Sequence, residues 1–360
     1  MSGPEQSRRA ASDRRTEIFA ALEQDGVAHI ATLATALGVR QITIRRDLER
    51  MEQEGLLVRI RGGAVPVSAV RRSAAGGTIG VLVPTVHYFW PGVVRAVEAE
   101  AARHGLDVTM RVSSYQAVDE VAVLRRLAQT ESLAGLLLAP RIEAPDSGDL
   151  VSWLAETGIP HVLVQREARL RPHGIPLESV NSDRALGAEL ALHHLADLGH
   201  RRLGLAQSRL SQGSLPISEG WRAACRHRGI AAGARFEWRL PESREADFSD
   251  AVEAMLDEIV ALGVTGLLVQ ADPEALPIIQ HAQQRGIRVP EDFSVIAYDD
   301  EVAGLFNPPL TAVSPQRDTL GQIAVELLVK RIAEPSRPTS RVLVNPRLIV
   351  RKTTAPPPER

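Results

Sequence analysis

Between Arg14 and Leu37 the apolar positions recur every three or four residues. Ile18, Ala21 and Leu22 share one helical face in Arg14–Gln24, and Ile30, Leu33, Ala34 and Leu37 share a second one. Asp25-Gly26 separates the two helices. Gly38 supplies the left-handed residue of a tight turn. A third helix is expected over about Gln41–Glu54, with Ile44, Leu48 and Met51 facing its neighbours and Gln41, Ile42, Arg45, Arg46 and Glu49 on other faces. After Gly55 the period shortens to two: Val58 and Ile60 alternate with Arg59 and Arg61, and Gly62-Gly63 makes a hairpin turn. Residues 68–77 (SAVRRSAAGG) have no period and read as a flexible tether, whose Arg71 and Arg72 are solvated or brush a phosphate backbone.

From residue 78 onward, short apolar runs alternate with helical patterns. Strands are expected at Ile79–Val83, Val108–Val112, Gly135–Ala139, His161–Val164, Leu203–Ala206, Gly266–Val269 and Ser294–Ala297. Helices are expected at Gly92–His104, Glu120–Thr130, Asp149–Thr157, Arg184–Leu198, Glu219–Arg228, Phe248–Leu262 and Pro273–Arg285. Several strands are apolar throughout, as in a parallel sheet covered on both faces. The fold class is therefore α/β, with doubly wound parallel sheets. About 280 residues is long for one sheet, so residues 78–355 are expected to form two lobes behind a small domain at 1–68 and a linker at 69–77.

Charge changes the picture. The net charge of −2 by itself argues against a nucleic-acid partner, but residues 1–75 hold 12 Arg against 9 Asp or Glu. The remainder holds 30 basic against 35 acidic residues, so a basic head sits on an acidic body. The lone Cys225 excludes a disulfide within the chain and suits a reducing compartment. The start lacks the apolar core of a secretory signal, and no apolar run approaches the ~18 residues of a membrane helix, so a cytoplasmic protein is expected.

Three short helices followed by a cationic hairpin form a winged helix-turn-helix. Arginines near the start of the third helix can reach phosphates and base edges in a major groove. The expected DNA-contacting residues are Gln41, Thr43, Arg45, Arg46, Arg59, Arg61, Gly62 and Gly63. The body carries no phosphate-loop, dinucleotide or nucleophile-elbow motif, so no enzyme and no cofactor are expected. His193, His194 and His200 lack a carboxylate or cysteine at ligand spacing, which argues against a metal. In a chain only 4% aromatic, Tyr88-Phe89-Trp90 stands out as a platform for stacking on a sugar or nucleobase, with one of the three rings expected in the core.

The head resembles the winged helix of DeoR-type bacterial regulators over Arg14–Val67, notably at TIRRDL (43–48), EGLL (54–57) and RGGA (61–64). It departs from that family at Arg40, where a serine usually caps the recognition helix. The body resembles the effector domain of LacI/GalR-type repressors, which has the periplasmic-binding-protein fold. The resemblance rests on IGVLVP (79–84), the segment 180–207 with LGHRR, and 289–313 with YDD…PPLTAV. It implies two lobes that clamp a small molecule, with crossovers near 180–183, 299–310 and 314–316. The pocket positions it implies are His87–Trp90, Gln165, Arg166, Asp183, Asp272 and Asp299; Asp300 would be a cap or hinge residue, and Trp221 a core residue. Arg166 would pair with an anionic or polyol ligand or sit in a surface salt bridge. Ile217, Ala271 and Pro315 stand where the family often has Arg, Asn and Gln, so a standard hexose pocket is not expected. The expected function is a homodimeric repressor that binds a duplex operator and is controlled by a carbohydrate or nucleoside-like effector. The alternative is a solute-binding protein or sugar-handling enzyme with an incidental basic head.

Overall fold

The computed structural model describes residues 14–15, 17–18, 21–22, 28–53, 57–60, 62–66, 77–113, 120–130, 132–141, 147–170, 173–209 and 213–359. Residues 1–13, Asp25-Gly26, Arg61, Arg71 and Arg72 lie outside them. In the head, helices α1 (Ile30–Ala36) and α2 (Gln41–Gln53) pack with a hairpin of β2 (Leu57–Ile60) and β3 (Gly63–Pro66). The apolar stripes form its core: Ile18, Leu22, Leu33, Ile44, Leu48, Met51 and Leu57 are all buried. A strand that the sequence pattern does not announce, β1 (Ala28–His29), pairs antiparallel with β3. That pairing revises the reading of the double glycine. Gly62 is in the turn at φ 89°, whereas Gly63 is in β3, where an added Cβ would lie 2.3 Å from the carbonyl oxygen of Ala28. Gly63 answers to close backbone approach rather than to the turn.

The chain divides into two compact units: 1–86, 94–180 and 321–341 in the first, and 87–93, 181–320 and 342–360 in the second. The chain thus passes between them at 86/87, 93/94, 180/181, 320/321 and 341/342, rather than within 299–310 or 314–316. The sheet of the first unit has strand order β16 (Arg341–Val344), β10 (Ser179–Ser182), β7 (His161–Val164), β6 (Leu133–Leu138), β4 (Thr78–Val83), β5 (Asp107–Val112). β10, β7, β6, β4 and β5 run parallel, and β8 (Arg169–Leu170) pairs antiparallel with β9 (Ile175–Pro176) outside this sheet. Its core gathers Leu82, Leu124, Leu136, Leu138, Leu154 and Leu163.

In the second unit the order is β12 (Arg235–Leu240), β11 (Leu203–Ser208), β13 (Gly266–Val269), β14 (Ser294–Tyr298), β15 (Thr311–Ser314), β17 (Arg347–Ile349), parallel except for the last strand. Helices cover both faces, among them Arg184–Asp197, Ser214–His227 and Phe248–Leu262, the last closed by Gly263 at φ 63°. The C-terminal residues are part of this core. Thr353 is fully buried, accepts the Thr311 N–H at 2.9 Å and donates its hydroxyl to the Val295 carbonyl at 2.7 Å. Buried His200 bonds with Thr265 Oγ1 at 2.9 Å and with the Ala355 carbonyl at 2.9 Å, which gives it a structural role. His194 bonds with Thr354 at 3.0 Å. Among the described residues no group of three potential metal ligands occurs.

Two helices of this unit meet backbone to backbone at Gly220, where an added Cβ would lie 2.2 Å from the Ala185 carbonyl oxygen. Gly233 has nothing within 4 Å and an ordinary φ. Gly220→Ala should therefore cost about 1–3 kcal/mol or more in denaturant unfolding, because the obstructing atoms are backbone. Gly233→Ala should be close to neutral. Equal melting behaviour of the two variants would refute the packing argument.

Candidate functional site

Two regions bring polar side chains into defined geometry. In the head, α2 starts from Arg40, whose carbonyl accepts the Thr43 N–H at 2.8 Å, so backbone does part of what a capping serine does. Gln41, Ile42, Arg45, Arg46, Glu49 and Arg50 are exposed, and Thr43 is half-buried. Arg14 holds Asp47 at 2.7 Å. Arg59 does not stand free on the wing: its Nε meets Glu52 and its Nη1 meets Glu49, each at 2.7 Å, and its N–H donates to Glu52 at 3.0 Å. These bonds hold the Glu52 carboxyl below its usual range and raise Arg59.

In the second unit, the loop that leaves β14 is the most constrained segment. Asp299 and Asp300 both have positive φ, 90° and 51°. Asp272 explains how they are held. Its carboxylate has no exposed surface and accepts from the N–H groups of Asp300 (3.3 Å), Glu301 (2.7 Å), Val302 (2.9 Å) and Ala303 (3.1 Å). Arg317 closes the other side, donating to the carbonyls of Asp299 (2.5 Å) and Asp300 (3.1 Å) and pairing with Glu301 at 2.9 Å. Arg351 pairs with Asp300 at 2.7 Å. Tyr88, itself at φ 63°, joins the same construction: its hydroxyl accepts the Asp272 N–H at 3.0 Å and reaches the Tyr298 carbonyl at 3.3 Å.

Several expected ligand contacts are thus already in use. Asp183 caps the helix Arg184–Asp197 by accepting the Leu186 N–H at 2.9 Å. Asp272 shapes a loop and has no surface to offer. Phe89 and Trp90 are both buried, 7% and 4% exposed, and meet edge to face at 5.3 Å. Two rings of the aromatic run are core residues where one was expected. Trp221 is fully buried in the core, as expected. His87 is exposed and Asp299 half-buried. In the first unit, buried Gln165 has φ 58°, and Arg166 donates to the carbonyls of Pro140 (2.8 Å) and Gln165 (2.7 Å), so backbone carbonyls occupy its guanidinium.

The carboxyl that retains chemical freedom is Asp299. Burial pushes it up to about 7; Arg184 and Arg317 oppose the shift, and Asp272 and Glu274 add to it. Burial also pushes Asp272 up to about 6 against the pull of its backbone bonds. Near neutral pH, Asp299 can donate as well as accept a hydrogen bond, which suits ligand hydroxyls. Arg184, Arg317 and Arg351 were missed from sequence. Arg317 was the most findable of them: it directly follows Gln316, which has φ 56° in the turn after β15.

Comparison with known proteins agrees with both regions. A DeoR-like helix-turn-helix domain model matches residues 14–70, and a periplasmic binding protein-like domain model matches residues 192–354. An uncharacterised HTH-type transcriptional regulator of Streptomyces limosus is 28% identical over 81% of this chain and 82% of its own length. The HTH-type transcriptional repressor PurR of Photobacterium profundum is 26% identical over 91% of this chain and 97% of its own. A LacI family transcriptional regulator from Enterococcus faecium, solved with bound ribose, superposes with TM-score 0.65 at 23% identity, over 78% of this chain and 99% of that one.

The raised Asp299 carboxyl has a measurable consequence. Its folded value of about 7 lies above the unfolded 3.8, so the stability tied to its proton is full at low pH and lost as pH rises towards 7. Asn tolerates a positive φ. Asp299→Asn should therefore unfold at higher denaturant than the parent at pH 8, by ~2 kcal/mol, with the gap narrowing towards pH 5. A gap independent of pH would show that the carboxyl is not the source.

Proposed function

Because this chain joins a DeoR-like helix-turn-helix head to a periplasmic binding protein-like body, and its relatives are HTH-type transcriptional regulators, we propose that it is a sequence-specific transcriptional repressor whose hold on its operator is set by a small molecule taken up by the body. The observation that carries the reading is α2, with Arg45 and Arg46 exposed on its outer side while Ile44, Leu48 and Met51 are buried in the head's core. In this reading α2 enters the major groove, with Gln41, Thr43, Arg45 and Arg46 reaching base edges and phosphates. A homodimer would match a near-palindromic operator, each head taking one half-site. The molecule works in the cytoplasm, where the operator is, and no described helix is long and apolar enough to cross a membrane.

The effector is a carbohydrate or a nucleoside-like compound. Support comes from the ribose held by the E. faecium relative and from the name of the PurR relative. Support also comes from Asp299, a carboxyl at the carboxyl end of a parallel strand, where ligands bind in such sheets. The protein acts by binding, without turnover. The effector shifts operator affinity only to the extent that it prefers one conformer, typically by ~1–3 kcal/mol.

Arg45→Ala and Arg46→Ala should each weaken operator binding by about 1–3 kcal/mol if they read bases, or lower the slope of log affinity against log salt by ~0.9 if they neutralise phosphate. Fluorescence anisotropy over a salt series separates the two, and parent-like binding by both variants would remove the recognition helix from the reading. For the body, a melting screen of ribose, other pentoses and nucleosides tests uptake. A binder at 100-fold excess over its Kd should stabilise by ~2.7 kcal/mol. A broad library without a hit would count against a sensor.

A further inference from the structure

Helix α2 (QITIRRDLERMEQ) carries three arginines, Arg45, Arg46 and Arg50, and three acids, Asp47, Glu49 and Glu52. A helix with balanced charge gains little from the field of a polyphosphate, because its carboxylates repel what its guanidinium groups attract. The head resolves this by engaging every acid of α2 from outside the helix. Arg14 takes Asp47, and Arg59 takes both Glu49 and Glu52. Arg45, Arg46 and Arg50 take part in no ion pair among the described residues, so the helix presents three uncompensated cations. The two glutamates stand three residues apart on one helix face, and Arg59 meets them with both its guanidinium and its backbone N–H. Planar, multidentate contact of this kind fixes orientation as well as charge.

We propose that Arg59 is a positioning residue which clasps the wing to the recognition helix and shields Glu49 and Glu52 from the DNA, rather than a phosphate contact of its own. The inference rests on the DNA-binding reading above and assigns a division of labour within it. Arg45, Arg46 and Arg50 supply the attraction, while Arg59 silences the repulsion and sets the angle of the hairpin. Two bases for recognition, a correctly placed wing and a net-positive helix face, then depend on one side chain.

The test uses the full-length protein and a fluorescein-labelled duplex selected from a random library for binding to the wild type, with anisotropy read over a salt series. If the clasp holds, Arg59→Ala weakens binding about threefold to fivefold, and its slope of log affinity against log salt stays at the wild-type value. Arg45→Ala, Arg46→Ala and Arg50→Ala are measured in the same series, and whichever of them lowers the slope by ~0.9 serves as the phosphate-contact reference. Glu52→Gln weakens binding to a similar degree, and the double variant is no weaker than either single, the signature of two groups acting as one unit. The proposal is overturned if Arg59→Ala lowers the slope by ~0.9, or if Glu52→Gln leaves affinity unchanged or tightens it by releasing Arg59 towards phosphate. Should Arg59→Ala fail to fold, as judged by circular dichroism, Glu52→Gln and Glu49→Gln carry the test. A wild type that retains no duplex at low salt removes both this inference and the DNA-binding reading. A wild type that binds while the variants behave as phosphate contacts removes the clasp alone.

Discussion

The loop after β14 would have no reason to keep two consecutive aspartates at positive φ without the carboxylate of Asp272. Non-glycine residues leave that region unless their surroundings over-determine them. Asp272 supplies the determination by meeting the N–H groups of Asp300 to Ala303 from one side, while Arg317 takes the carbonyls of Asp299 and Asp300 from the other. Donors and acceptors of the same short segment are thus satisfied by a fully buried carboxylate and a half-buried guanidinium of opposite charge. The positive φ at Asp299 is a consequence of that arrangement, whereas the elevation of its carboxyl comes first from burial, with Asp272 adding to it and Arg317 opposing it. A buried acid that accepts several backbone bonds is costly to move, so the geometry it imposes is stiff.

The same device recurs in the head with another residue. Guanidinium groups tie short segments down in both regions: Arg59 joins the wing to α2, and Arg317 holds the β14 loop. The regular elements need no such help. Their apolar faces are long enough to be buried whole, as in Phe248–Leu262 with Phe248, Val252, Met255, Leu256 and Ile259 inside. Turns of a few residues bury little, and directional bonds make up the difference.

This division explains what could be read in advance. Helices with a strong period were legible to their ends: Glu120–Thr130 and Phe248–Leu262 were expected with the bounds they have. The strand Arg235–Leu240 (RFEWRL) was missed because an edge strand alternates with charges and lacks the apolar run that marks its neighbours. β1 was missed because two residues carry no period. In the site, the right residue types were visible but their employment was not. A carboxylate beside a helix start looks the same whether it binds a ligand, caps the helix like Asp183, or organises a distant loop like Asp272. Only the position of residues 28 or more places away decides between these roles, and a local pattern holds no trace of it. Likewise a double glycine signals a turn, and Gly63 owes its identity to a strand that returns against it.

Thr353 and Ala355 are threaded between strands of the second unit, and His200 and Thr311 depend on them for partners. On a ribosome these residues emerge after the rest of the unit's core, which cannot close until they do. The head, finished by residue 66, precedes them by nearly 290 residues. At ~5–20 residues per second this is an interval of roughly 15–60 s. During that interval each nascent chain carries a folded head and an unfinished sensor. Translation itself therefore produces a short-lived form of the molecule whose output element exists before its control does.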